Sequence, residues 1–231
     1  MEIYNATGVV KTPILRVTKS IGALVFVVDL AYASIANEKI TAHIERSNGS
    51  NEEIATNISL SAFMASSVFG EGKIITSATK TTVMCEIGNV GSIPLGENES
   101  IVITLDGLDA LKTYEIHGIE MPIQAIERIF LTEKVFLNGQ KNRTYEVIAF
   151  DEAVIIGAFD KLRLTYPTDE GSQIVEYSYL EIRAISADIG LLRAGSISQI
   201  TNTALSLVGV SDLEIFANNQ VNLVLRDVNK I

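Results

Sequence analysis

The sequence predicts an all-β protein made of two consecutive β-domains, and three observations lead to this expectation. Most segments alternate apolar and polar residues with a period of two, turn-forming residues separate these segments at short intervals, and the two halves of the chain share a pattern. In residues 39–46, Ile40, Ala42 and Ile44 fall on one face of a predicted strand. Residues 221–228 alternate in the same way, which predicts a half-buried strand near the C-terminus.

Turn signals separate the predicted strands. They occur at residues 47–51 (SNGSN), 138–139 (NG), 167–172 (PTDEGS) and 217–219 (ANN). Asn-Gly is the strongest of them, because a type I′ turn requires positive φ at both central residues. Many strands with short connections are typical of a β-sandwich or a barrel.

Helical patterns are scarce. Residues 61–70 and 186–195 each begin with serine and end at glycine within about three turns, so we expect two short helices in loops. The most apolar stretch, residues 21–36, carries Asp29 and is shorter than the roughly 20 residues of a membrane span. We therefore expect it to form a buried strand.

An internal repeat organises the chain. Shifting the sequence by 122 residues aligns residues 23–50 with 145–172 and gives seven identities in 28 positions. The identical pairs are Val25/Val147, Asp29/Asp151, Ala31/Ala153, Ala36/Ala158, Lys39/Lys161, Gly49/Gly171 and Ser50/Ser172. In both halves an alternating strand runs into a Gly-Ser turn, and a second strand and a short helical segment follow. We expect a junction near residues 119–124, with one domain over 1–121 and the other over 122–231.

Each half is long enough for eight strands of about six residues, so we expect two tandem eight-stranded jelly rolls. A pair of seven-stranded immunoglobulin-like domains is the alternative. Its Cys/Trp/Cys spacing is missing, because the chain has no tryptophan and Cys85 is its only cysteine.

Composition and charge exclude several classes. The chain of 231 residues has 18 basic and 28 acidic residues and a net charge of -10, the wrong sign for direct binding to nucleic acid. Hydrophobic residues make up 47%, which favours self-association. A single cysteine excludes an intrachain disulfide and suits folding in a reducing cytosol. The first 13 residues show no signal peptide, so secretion by that route is not expected.

Metal sites are not expected. His43 and His117 are the only histidines, and both are expected to face solvent on alternating strands without further ligands at suitable spacing. A duplicated cupin would require a His-x-His pair with a downstream Glu and a further His, and the sequence has none. Asp106 and Asp109 lack the spacing of a calcium loop and are expected in an Asp-Gly turn.

None of the candidate catalytic motifs in the sequence is complete. Glu52 and Glu53 are adjacent on a predicted strand, so they point to opposite faces and do not form a glycosidase pair. Residues 69–73 (FGEGK) lack the Ser or Thr and the first Gly of a phosphate-binding loop. Cys85 is expected to be a buried structural thiol. Exposed aromatic platforms of lectins are not evident either, because the tyrosines of residues 176–182 lie in a predicted strand. We predict no catalytic, cofactor-binding or metal-binding residue and no enzyme activity.

With this organisation the chain resembles the double jelly-roll major capsid proteins of tailless icosahedral viruses, especially the small versions in lipid-containing bacteriophages. The resemblance covers the whole chain in architecture. Its support at the residue level is the repeat of EKITAHIERSNGS (residues 38–50) in DKLRLTYPTDEGS (residues 160–172). Members of that family are usually longer and carry extended tower loops, so large outward decorations are not expected here.

The resemblance implies a structural role in a virion. Three copies would form a pseudo-hexameric capsomer, and capsomers would tile an icosahedral shell around pentameric vertex (penton) proteins. Synthesis in the host cytoplasm, no cofactor, and peripheral contact with any internal membrane complete the expectation. The alternative function is a β-sandwich binding module, such as a phage spike, a fibre or a carbohydrate-binding protein.

Overall fold

A computed structural model describes residues 1–69, 74–188 and 202–231 of the chain. β-strands are the main regular structure of these residues, with two short α-helices besides, which confirms the predicted all-β class. They form two compact units, residues 1–132 with 228–231, and residues 133–227. The predicted jelly-roll boundary after residue 121 lies between two strands and stays a prediction.

The first unit contains strands β1 to β9 and one short helix. Their bounds are β1 Glu2–Thr7, β2 Leu15–Val17, β3 Ala23–Val28, β4 Lys39–Glu45, β5 Asn51–Ser59, α1 Leu60–Ala65, β6 Ile75–Thr76, β7 Thr81–Glu86, β8 Ser100–Asp106 and β9 Thr113–Ile119. Within the described part of this unit, one sheet has the order β1-β9-β3-β7-β6. The other has the order β10-β5-β4-β8-β2, to which β10 contributes its first residues.

The remaining elements belong to the second unit, except for the first residues of β10 and the last residues of β17. Their bounds are β10 Glu127–Phe136, β11 Thr144–Glu146, β12 Glu152–Ile156, β13 Lys161–Thr168, β14 Gly171–Ser178, α2 Tyr179–Asp188, β15 Asn202–Ser206, β16 Asp212–Phe216 and β17 Val221–Lys230. As far as the described residues show, its sheets have the orders β15-β12-β17-β10 and β11-β16-β13-β14. The division between the units falls inside β10 and β17.

Both units connect their strands in the same order. We number eight strands of each unit from 1 to 8 along the chain, leaving out the two-residue strand β6. In both units, one sheet then has the order 1-8-3-6 and the other 2-7-4-5. A short helix follows the fifth strand in both. Within the described residues, the chain is therefore a double jelly roll, as the sequence predicts.

Each unit has its own apolar core. In the first unit, the rings of Phe26 and Phe63 meet edge to face with centroids 5.7 Å apart, and both side chains are fully buried. In the second unit, Phe136, Leu162 and Leu223 belong to a cluster of buried side chains drawn from both of its sheets. The predicted alternation explains this arrangement, because every second residue of a strand faces the space between the sheets.

The predicted repeat is correct for the fourth strand and wrong for the third. Lys39 and Lys161 begin β4 and β13, and both glycines have positive φ, +82° for Gly49 in the turn after β4 and +134° for Gly171 at the start of β14. By contrast, residues 23–28 form β3, whereas the aligned residues 145–150 precede β12. The connection to the fourth strand is longer in the first unit and carries a 3-10 turn, which shifts the register.

The predicted turn at residues 138–139 is wrong in type. Gly139 has φ +71°, but Asn138 is not among the residues with positive φ, so a type I′ turn is excluded. The N–H of Gln140 donates to the carbonyl of Leu137 at 3.2 Å, and the positive φ lies only at the third position, as in a type II turn. The flanking strands β10 and β11 lie in different sheets, so this turn does not close a hairpin.

The predicted helices are shifted. The segment predicted over residues 61–70 is helical from residue 60, and a 3-10 turn follows over residues 66–69. The second helix begins at Tyr179, seven residues before the expected start, and residues 189–195 of the prediction lie outside the described residues. The predicted strand is wrong beyond Ser178, because the carboxylate of Glu181 accepts hydrogen bonds from the N–H and the hydroxyl of Ser178, both at 2.7 Å. This capping box starts the helix.

Candidate assembly surfaces

The two histidines do not lie in a metal site of the described residues. Both histidines are half-buried on the more exposed faces of their strands, His43 in β4 and His117 in β9. The His117 Nε2 lies 3.4 Å from Oε2 of Glu115. Over residues 1–69, 74–188 and 202–231, no three His, Cys, Asp or Glu side chains converge as a metal site would require.

Asp106 and Asp109 lie in the predicted turn. Asp106 ends β8, accepts the N–H of Gly107 at 2.7 Å, and forms an exposed ion pair with Nζ of Lys11 at 2.8 Å. The hydrogen bond from Lys11 is the main cause that lowers the pKa of Asp106. Asp109 accepts the N–H of Leu111 at 2.9 Å. Both carboxylates therefore stabilise the local chain.

The adjacent residues Glu52 and Glu53 of β5 have different surroundings. Glu52 is half-buried and accepts hydrogen bonds from Arg46 Nε at 2.8 Å and Nη2 at 3.0 Å, while Glu53 is exposed. Arg128 Nε lies 3.4 Å from Oε2 of Glu52. Sequence reasoning missed this network, because its arginines come from separate segments of the chain.

Arg46 also binds Glu99, and the two line a cleft of about 550 Å³. The Glu99 carboxylate accepts hydrogen bonds from the Gly96 N–H and from Arg46 Nη1, each at 2.9 Å, and from the Ser47 N–H at 3.3 Å. These bonds, led by the one from Gly96, lower the pKa of Glu99 to about 2. The cluster ties the β4–β5 turn to the loop before β8.

We expect acid to destabilise the protein partly through Glu99. Its folded pKa of about 2 lies below the ordinary value of 4.5, so its contribution is present above 4.5 and is lost as the pH falls toward 2. In Glu99→Gln, the melting temperature should fall less steeply across this window than in the wild type. The exposed Glu97→Gln serves as the matched control. Parallel melting curves for wild type and Glu99→Gln would contradict the prediction.

Cys85 is a buried thiol, as predicted. It lies in β7 with no exposed surface, and its Sγ is 3.7 Å from the carbonyl of Phe63. Burial is the main cause that raises the pKa of Cys85. A thiol that remains protonated and inaccessible is a poor nucleophile.

Cys85 should not react with an aromatic disulfide reagent in the folded protein. In denaturant, one thiol per chain should react, because unfolding exposes the sulfur and restores its ordinary pKa. Absorbance at the wavelength of the released thiolate measures both states. Rapid stoichiometric reaction without denaturant would show that β7 is not buried as described.

Residues 70–73 of the FGEGK segment lie outside the described residues. Tyr177 and Tyr179 are half-buried against the core of the second unit, and Tyr179 meets Phe159 edge to face at 5.1 Å. In the described residues, no helix has the length and apolar character that crossing a membrane requires.

Large apolar side chains are exposed in both units. Those of the described residues are Met1, Val10, Ile14, Ile75, Val90, Leu111, Ile123, Ile126, Val135, Leu137, Ile148, Ile174, Leu180 and Val208. Single exposed apolar residues are common on protein surfaces, so only those grouped by the fold favour an interface.

One group lies in the first unit. Val90, Ile123 and Ile126 belong to two segments that are joined by backbone hydrogen bonds, including Ser92 N–H to the Ile123 carbonyl at 2.8 Å. Val90 has φ +53°, which is unfavourable for a β-branched residue. The surrounding backbone, rather than burial of the Val90 side chain, therefore holds this residue in its unfavourable conformation.

Three glycines permit this arrangement. A Cβ on Gly22 or Gly88 would lie 2.3 Å or 2.4 Å from the carbonyl oxygen of Gly91, closer than atoms approach. A Cβ on Gly91 would lie 2.7 Å from the Ala125 nitrogen and the Ile123 oxygen. The backbones of three segments therefore pack directly on one another, which only glycine allows.

Open sheet edges are the second kind of surface. Among the described strands, β2, β6 and β11 lie at edges but have only three, two and three residues. The edge strands β1 and β14 are longer, with six and eight residues, and β15 has five. A long unpaired edge offers backbone donors and acceptors to another chain.

Comparison with known proteins supports the fold. No family model matches this sequence, and no curated protein matches it. The crystal structure of the major capsid protein P2 from bacteriophage PM2 matches with a TM-score of 0.57 and 11% identity, over 100% of this chain and 95% of that one.

Two further solved structures match far less well. A mutant of Bacillus subtilis oxalate decarboxylase OxdC has a TM-score of 0.25 and 7% identity, over 94% of this chain and 68% of that one. The N-terminal CBM22-1-CBM22-2 tandem domain of Paenibacillus barcinonensis Xyn10C has a TM-score of 0.26 and 11% identity, over 98% and 86%. The strand orders and the full-length match together show that this chain has a double jelly-roll fold, which it shares with the PM2 major capsid protein.

Proposed function

We propose that this chain is the major capsid protein of a bacteriophage, and that its work is assembly. The observation that carries the proposal is the full-length likeness to the PM2 major capsid protein, in a chain whose two units share one strand order. Three copies would form a pseudo-hexameric capsomer, and the capsomers would tile an icosahedral shell.

The geometry of closure supports a trimer. A head-to-tail contact that rotates each copy by about 120° closes into a ring of three. Because each chain carries two similar jelly rolls, such a ring presents six similar lobes. Six lobes match a lattice position with six neighbours, so one gene product would suffice for the hexagonal part of a shell.

Surface chemistry is consistent with association through apolar contacts. A net charge of -10 makes copies repel one another at long range, so an interface must gain its free energy from buried apolar surface. The exposed apolar side chains of Val90, Ile123 and Ile126 offer such surface.

The remaining parts of the proposal concern the virion. The protein would be made in the host cytoplasm and reside in the capsid, where it contacts neighbouring capsomers and vertex proteins. Contact with any internal membrane would be peripheral. We propose a structural protein without catalytic activity, cofactor or direct binding to nucleic acid.

The native mass tests the proposal. Light scattering on the eluting protein should give about 75 kDa for a trimer of the 25.0 kDa chain, and the mass should persist on dilution. Electron microscopy should show particles with six lobes, and larger shells at high concentration. A monomer that binds glycans on an array would overturn the proposal and favour the binding module instead.

A further inference from the structure

The fifth strand of the first unit has both of its edges covered. One edge of β5 pairs with β4, and the other meets β10, where Leu131 and Ala55 form a parallel bridge. Arg128 Nη1 also donates a hydrogen bond to the carbonyl of Glu53. A strand numbered first therefore meets the edge of a strand numbered fifth at one residue pair.

The fifth strand of the second unit is β14, and its outer edge is open. All eight of its residues pair with β13 without a shift in register. Across residues 1–69, 74–188 and 202–231, no strand pairs with the other edge. Natural edges are usually protected by charged side chains, proline, a bulge or short length. The eight residues of β14 include no proline or bulge, and its one charged residue, Glu176, is paired with Lys161 and Arg163 of the neighbouring β13. Ile174 is also 59% exposed there.

The matching first-position strand is β1, whose outer edge is likewise unpaired within the described sheets. β1 lies beside β9, the last strand of the first jelly roll, just as β10 lies beside β17, the last strand of the second. The carbonyl of Met1 accepts the Gly118 N–H at 2.8 Å, and the carbonyl of Ile126 accepts the Ile231 N–H at 3.1 Å.

The pattern of burial sets a register. β1 has a register shift between Glu2 and Tyr4, so we place the contact beyond it, at Ala6, whose side chain lies on the more buried side of its strand like that of Leu131. Val175 corresponds to Ala55, because each pairs with the fourth residue of the preceding strand. A copy of the β10 contact would thus set Ala6 against Val175.

We propose that β14 of one copy pairs in parallel with β1 of the next copy, and that this contact closes the ring of three. The inference rests on the proposed function and names the surface by which the capsomer forms. The contact is heterologous, since it joins different edges, so it generates a ring and not a symmetric pair. In this register, the exposed residues Asn5 and Ile174 lie opposite each other across the interface.

A charged substitution tests the surface. Ile174→Glu places a carboxylate on the paired edge, and it should raise the concentration for half-dissociation of the trimer at least tenfold. Val208→Glu is the matched control, because Val208 is 76% exposed and lies in the turn between β15 and β16. The native masses of both variants should be compared with that of the wild type over a dilution series, and circular dichroism should confirm that each is folded.

Cross-linking tests the register. The double variant Asn5→Cys with Ile174→Cys should form covalent dimers and trimers under mild oxidation, as seen on a non-reducing gel. Either single variant should remain a single chain. Cys85 does not compete, because it is fully buried.

The outcomes separate this inference from the proposed function. If the wild type is a trimer, Ile174→Glu dissociates no more readily than Val208→Glu, and the double variant forms no covalent species, the β14–β1 contact is wrong and the capsid proposal stands. If the wild type is a monomer at every concentration, both are overturned.

Discussion

Replacing Arg143 with leucine is expected to lower the free energy of unfolding by about 3 kcal/mol. The side chain is only 2% exposed. Its Nε donates to the carbonyl of Gln140 at 3.0 Å, Nη1 to that of Asn219 at 2.7 Å and Nη2 to that of Leu137 at 2.9 Å. Leucine fills much of the volume but leaves three carbonyls without this donor. Urea unfolding followed by circular dichroism measures the loss.

Two further variants isolate the cause. Lys141→Leu removes an exposed charge from the same loop, and it should change stability by less than about 0.5 kcal/mol. Arg143→Lys keeps the charge but lacks the planar fork that reaches three acceptors, so most of the loss should remain. If Arg143→Leu were as stable as Lys141→Leu, the guanidinium would not be holding the loops together.

Gly91→Ala is expected to destabilise the first unit by about 3 kcal/mol. The new Cβ would lie 2.7 Å from the Ile123 oxygen and the Ala125 nitrogen, and both belong to the backbone. A side chain can rotate away from such a clash, but a hydrogen-bonded backbone must shift as a whole. The shift would also displace Val90 and the apolar group around it. Thermal and urea unfolding measure the effect.

Gly96→Ala is the matched control for this change. The nearest atoms to its Cβ belong to the Glu99 side chain, at 3.5 Å and beyond, which is ordinary contact. Alanine also restricts the unfolded chain, so this variant should be within about 1 kcal/mol of the wild type. An equal loss in both variants would mean that the close backbone packing at Gly91 is not the cause.

The strand pattern could be predicted well because burial between two sheets imposes it locally. The alternation in residues 39–45 shows directly in β4, where Ile40, Ala42 and Ile44 are all buried. The same reasoning failed after Ser178, where aromatic and apolar residues continue the alternation into a helix. The signal for that helix was present as Ser178 with Glu181 three residues later, since this pair satisfies the first free N–H groups.

Polar networks and open edges were beyond sequence reasoning for a different reason. Arg46 binds Glu52 six residues away but Glu99 more than fifty away, and Arg143 reaches Asn219 across most of the second unit. No local pattern records which distant segments become neighbours. Among the described strands, the outer edges of β1 and β14 are likewise unpaired because of the order of strands in each sheet.

The amino-acid sequence by itself determined the all-β class, the duplicated layout and the lack of any recognisable catalytic motif. These follow from periodicity, turn residues and composition, which act over a few residues at a time. Only the tertiary structure decided the strand order, the direct backbone packing of Gly22, Gly88 and Gly91, and which of the described strands lie at sheet edges. These features depend on contacts between residues far apart in the chain. Such contacts stabilise the protein only once the sheets have packed together.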